Sequence, residues 1–132
     1  MRAIDPTIVL DLKQLREVTL DDGELMQQIL AALIDDTARQ MPLLALAIRE
    51  RDGPKCARLA HYSKGACANV GANAAAAVLE TMERQAASGS VADCGVQLAR
   101  LSSEVERLRR QSGPRAVSER FPGSTKPHAR SA

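Results

Sequence analysis

The chain contains no tryptophan, and its 132 residues include a single tyrosine and a single phenylalanine. Aromatic rings therefore cannot anchor a core, and Ala, Leu, Val, Ile and Met must form it. Ala and Leu are good helix formers and the β-favouring aromatics are missing, so the balance points to packed helices rather than a sheet. Cysteine is also scarce. Cys56, Cys67 and Cys94 are odd in number and form no C-x-x-C pair, which fits free thiols in a reducing compartment better than a disulfide framework. No apolar run approaches the roughly 18 residues needed to span a membrane. The opening MRAIDPTIVLDLK reaches charge within a few positions and lacks the long apolar region of a signal peptide. A soluble, cytoplasmic protein is the expectation, with no membrane partner.

A strong excess of either charge is missing as well. The formal net charge is +2, and residues 113–132 hold +3 of it: Arg115, Arg120, Lys126 and Arg130 against Glu119. The remaining body sits at −1, close to neutral. A near-neutral body with a mildly basic tail gives little support for nucleic-acid binding, which usually shows a dense basic face.

What is present is helical period. The length fits one domain plus tails. Asp5-Pro6 reads as an N-cap with proline at the first helical position, opening a short helix through about Val18. A long helical pattern follows to about Arg51, with Met26, Ile29, Leu30, Leu33, Met41, Leu44 and Ile48 at three- and four-residue steps. Thr37 falls where a core residue is expected, and Pro42 should kink or split this helix. A third helix spans about Lys55 to Asn69 and ends near Gly71, a plausible C-cap. The fourth covers about Asn73 to Ala87. The fifth, about Val91 to Gln111, carries the stripe Val91, Cys94, Leu98, Leu101, Val105 and Leu108. The fold class expected is all-α: an up-and-down four-helix bundle over residues 1–111 with an additional short N-terminal helix. Residues 112–132 mix Ser, Gly, Pro and Arg without period and read as a flexible C-terminal tail, in which His128 carries no role.

One stretch stands apart, AHYSKGACANVGA at residues 60–72. The core positions expected on this helix are Leu59, Ser63 or Tyr62, Ala66 and Val70. At about 100° per residue, His61 then points some 140–200° away from Leu59 and Ala66, outward. Its neighbours on that face are Ala57, Arg58, Lys64, Gly65 and Ala68, so the imidazole rises from low cover between two cations. Gly65 lies mid-helix, where it costs about 0.5–1 kcal/mol relative to Ala. In so alanine-rich a chain, that cost implies that even a methyl is unwanted there.

A metal site is not indicated, since no Asp, Glu or Cys lies at i+3 or i+4 of His61. A Cys–His nucleophilic pair fails on spacing, because Cys67 points about 120° away. Phosphoryl transfer fits better. A neutral imidazole, with an unperturbed pKa of about 6.5, is a competent nucleophile near pH 7. A phosphorylated ring carries roughly two negative charges, which a lysine one turn away offsets.

These residues resemble the histidine-containing phosphotransfer (HPt) domains of two-component phosphorelays. Ala60-His61-Tyr62-Ser63-Lys64-Gly65 matches the first part of their signature, and Val70-Gly71-Ala72 the second. Ala75 stands at a leucine position, and Met82-Glu83 at the Leu-Glu pair that follows. The order of elements matches over about residues 5–111. Ser63 departs from the pattern where the family has leucine two places after the histidine, as does Ala75; both lighten the core. The long helix also lacks the Phe often found near Leu33.

The resemblance implies a phosphoryl carrier in signal transduction rather than an enzyme. His61 would accept a phosphoryl group from the phospho-aspartate of a receiver domain and pass it to another response-regulator receiver. Lys64 would steady the phosphoryl oxygens, and Gly65 would give the docked receiver clearance. Ala57, Ala60, Tyr62 and Ala68, with part of the long helix, are the docking candidates. No cofactor of its own is implied, since Mg²⁺ comes with the receiver and the chain has no Gly-rich nucleotide loop. The partners implied are receiver domains and a hybrid sensor histidine kinase, with the chain itself a monomer. The alternative is an HPt-like adapter that binds receivers without carrying phosphate. A kinase-type dimerisation domain ranks below both, because His61 is followed by Tyr62 and no ATP domain is present.

Overall fold

The computed structural model describes residues 5–112. The chain forms α1 (Leu12–Val18), α2 (Gly23–Arg49), α3 (Gly53–Val70), α4 (Asn73–Ala87), a 3₁₀ turn (Val91–Asp93) and α5 (Cys94–Gln111). Helix α2 packs on α3, α3 on α4 and α4 on α5, and α5 closes back on α2. This is the expected all-α four-helix bundle, with α1 as the extra short helix. The expected tail lies outside the described residues, apart from Ser112, which caps α5.

Helix α1 starts later than Asp5-Pro6 implies. Asp5 instead closes a tight turn, its Oδ1 accepting from the Thr7 amide at 3.0 Å and the Thr7 hydroxyl at 2.7 Å. The next residues are drawn into the corner between α3 and α4, where Asp11 N–H donates to Gly71 O at 2.7 Å and Ala74 N–H donates to Ile8 O at 2.8 Å. Only then does Asp11 cap the helix, accepting from the Gln14 amide at 3.2 Å. Gln14 in turn donates to Ala68 O at 2.6 Å and to Asn69 O at 3.1 Å, tying α1 to carbonyls in the last turn of α3. Gly71 is the expected C-cap of α3, left-handed at φ 94°. A Cβ there would lie 2.8 Å from Asp11 O, so the turn and the α1 contact both demand glycine.

Helix α2 runs unbroken through Pro42, contrary to the expected kink or split. Pro42 is exposed, so the Ala38 carbonyl it leaves unbonded lies on the solvent side. The buried stripe is Met26, Leu30, Leu33, Ile34, Thr37, Leu44 and Ala47. Thr37 is tolerated inside because its hydroxyl meets Cys67 Sγ at 3.9 Å.

Helix α3 is turned from its expected orientation. The buried residues are Cys56, Ala60, Ser63 and Cys67, while Leu59, Ala66 and Val70 flank them partly buried. Free cysteine packs as a small hydrophobe, and a Cys/Ala/Ser seam keeps the inner side of α3 slim where it pairs with α4. At the other end of the pair, a Cβ on Gly53 would lie 2.9 Å from Ala86 O. The thiols are inert core groups: burial pushes Cys67 up to about 11 and Cys56 up to about 12. Helix α5 buries the expected stripe, with Leu98 only partly covered. No helix among the described residues is long and apolar enough to cross a membrane.

Candidate functional site

The buried stripe of α3 fixes where its other side chains go. His61 follows buried Ala60 by one residue, about 100° round the helix, and its side chain is 68% exposed. Gly65 lies two residues from both Ser63 and Cys67, so it points straight out of the bundle, and a Cβ added there would meet nothing within 4 Å. Helix packing therefore does not require this glycine.

Across the groove from α3, Glu83 of α4 reaches both polar groups of the site. Its Oε2 lies 2.9 Å from His61 Nδ1, and its Oε1 lies 2.9 Å from Lys64 Nζ. Partial burial pushes the Glu83 carboxyl up, but hydrogen bonds from Lys64 and His61, and then their charges, outweigh it and hold it below the ordinary glutamate value. An ionised carboxylate only accepts, so Nδ1 carries a proton, and in the neutral ring the lone pair lies on Nε2. Lys64 is not a free surface ammonium: its side chain is only 25% exposed and is neutralised by the same carboxylate.

Glu83 was not legible as a member of the site. It appears in the sequence only as part of the Met82-Glu83 pair, and a search for carboxylates at i+3 and i+4 of His61 looks along the wrong helix. A signal was available. His61 lies eleven residues before Ala72 and Glu83 eleven after it. In an antiparallel pair joined by a tight turn, with about 1.5 Å of rise per residue, such positions sit level.

The docking candidates separate. Ala60 is fully buried, so it cannot contact a partner; the rotation of α3 that carries Cys56 and Cys67 inward takes Ala60 with them. Tyr62, expected as an alternative core residue, is 55% exposed. The Asp36 carboxylate of α2 faces its hydroxyl and pushes the phenol pKa up. Asp36 is also paired with Arg39 at 3.4 Å. Leu43, exposed on α2, lies two turns along the same side of that helix from Asp36. Ala57 and Ala68 are partly buried against the core. No cluster of three or more His, Cys, Asp or Glu gathers among the described residues.

The arrangement is an exposed imidazole with Nδ1 held by a carboxylate, Nε2 available, an ammonium beside it and a glycine window one turn on. No curated protein and no solved structure matches the chain. The family model described as Hpt domain matches residues 28–111, covering α3, α4, α5 and most of α2. On that match the chain belongs to the Hpt domain family, the histidine phosphotransfer modules of phosphorelays.

Proposed function

We propose that this chain is a phosphorelay intermediate: His61 takes a phosphoryl group from the phospho-aspartate of a receiver domain and hands it to a second receiver. The observation that carries this reading is the hydrogen bond from His61 Nδ1 to Glu83, which leaves Nε2 as the nucleophile. In the step, Nε2 attacks phosphorus, the Nε2–P bond forms and the acyl P–O bond breaks. The receiver's aspartate leaves as carboxylate. The ring keeps its Nδ1 proton and gains positive charge, which Glu83 faces directly. Transfer onward is the reverse reaction on another aspartate.

Lys64 is released from Glu83 toward the phosphoryl oxygens as negative charge arrives, acting as a compact, mobile point charge. Gly65 admits the receiver's active site to the ring. Mg²⁺ and the acidic pocket come from the receiver, and a hybrid sensor kinase supplies the phosphoryl group upstream. The receiver rests on Tyr62 and the exposed part of α2 around Leu43, with Ala57 and Ala68 at the rim. The chain acts as a monomeric carrier with no kinase site of its own.

The test is incubation with a radiolabelled phospho-receiver. Label should appear on the chain as acid-labile, base-stable phosphate and vanish in His61→Gln. Receiver binding without any label transferred would replace the carrier by an adapter. Labelling directly from ATP would contradict a carrier without a kinase site.

A further inference from the structure

The charges around His61 do not balance a phosphoryl group. Lys64 and Glu83 cancel one another at 2.9 Å, and across Tyr62 the Asp36–Arg39 pair cancels at 3.4 Å. A phosphoryl group brings about −1.5 to −2 charge near neutral pH. Apart from the Lys64 ammonium, which leaves a carboxylate behind when it moves, one cation stands within a helical turn. Arg58, three residues before His61, is exposed and makes no ion pair among the described residues. It sits two residues from both Cys56 and Ala60, which are fully buried, and so points about 200° from each, straight out of the bundle. Arg58 and Gly65 thus share the outermost ridge of α3 and bracket His61, one turn on either side. Lys55 lies a further turn away and is partly covered.

We propose that Arg58 is the cation that faces the phosphoryl group of His61 from the side opposite Gly65, donating to its oxygens from the planar guanidinium. The assignment rests on the carrier reading and adds a residue to it. Arginine suits the position: its fork matches phosphate oxygens, and no neighbouring carboxylate has to be vacated first.

The experiment uses the full chain and potassium phosphoramidate, so that no receiver enters. Nε2 of His61 attacks phosphorus, the P–N bond of the N-protonated donor breaks, and ammonia leaves. The phosphoryl group is then titrated by ³¹P NMR and its hydrolysis half-life measured. A guanidinium that donates to these oxygens holds its charge about 4–5 Å from phosphorus, which in near-aqueous surroundings moves a titration by at least about half a unit. Arg58→Gln should therefore raise the phosphoryl midpoint by at least about half a unit and shorten the half-life. Arg58→Lys should recover most of both effects, and salt near 0.5 M should erase the difference. Arg100→Gln on α5, an equal loss of net charge far from the site, should change neither. A midpoint unmoved in Arg58→Gln, or moved equally in Arg100→Gln, overturns the assignment and leaves the carrier reading intact. Failure of phosphoramidate to label His61 in the unaltered chain would remove the carrier reading and this assignment together.

Discussion

Replacing Glu83 by glutamine removes a charge from the site while keeping its shape. The carboxylate Oε2 stands 2.9 Å from Nδ1, so the centre of its charge is about 4 Å from the ring that becomes positive as the Nε2–P bond forms. Two unit charges at that distance attract by about 1 kcal/mol in water and about 4 kcal/mol at an effective dielectric of 20. His61 is mostly exposed and Glu83 partly covered, which places the interaction near the lower end, about 1–2 kcal/mol. Glu83→Gln should therefore slow phosphoryl uptake by about 5- to 30-fold. The amide adds to the loss, because its N–H can donate to Nδ1 and favour the tautomer with the proton on Nε2. Freed Lys64 works the other way by turning to the incoming phosphoryl group. In a Lys64→Gln background that offset is gone, and the fall should approach the upper figure. The assay is single-turnover uptake of label, first from phosphoramidate and then from a phospho-receiver. Rates within twofold of the parent in both backgrounds would show that Glu83 neither sets the tautomer nor stabilises the charged ring.

Ser63 is buried and its hydroxyl has no hydrogen-bond partner. Ser63→Ala should relieve about 1–3 kcal/mol of desolvation, less about 1 kcal/mol for the void, for a net gain near 1 kcal/mol. A thermal midpoint about 4 °C higher is expected, and a lower one would show that the hydroxyl has found a partner. Gly65→Ala should stabilise α3 by about 0.5–1 kcal/mol, because the added methyl meets nothing. Gly65→Leu should leave labelling by phosphoramidate intact yet slow transfer from a receiver, and equal slowing with both donors would contradict the window. The Glu83 carboxyl is held below its ordinary value of 4.5, so the stability it lends is complete above that pH and is lost as pH falls through the depressed native value. In urea titrations from pH 7 to pH 3, the gap between the parent and Glu83→Gln should narrow only in the acid part of that range. A gap constant down to pH 3 would mean that the carboxylate is not held by its partners.

The extent to which the sequence could be read follows from what each argument used. Helix number and order rested on caps and breakers such as Asp52, Gly71 and Ser88, which act locally and which the structure keeps in place. The orientation of α3 rested on side-chain type, and there large apolar residues misled: Leu59 and Tyr62 drew the expected stripe toward themselves, whereas packing in the bundle buries Cys56, Ala60, Ser63 and Cys67. Ala60, expected at the docking surface, is buried as a result, while Ser63 is inside as expected and Tyr62, its alternative in the core, stays outside with the docking candidates. His61 survives the error because it lies about 160° from Leu59 and about 100° from Ala60, outside under either orientation. Glu83 is a different kind of omission. Its place depends on the register between two helices, which a periodicity confined to one helix does not contain. Gly71 and Ala72 set that register by the length of the turn, and counting outward from them in both directions brings His61 and Glu83 level. For antiparallel helices joined by so short a corner, the count from the turn carries information about a site that helical period alone does not.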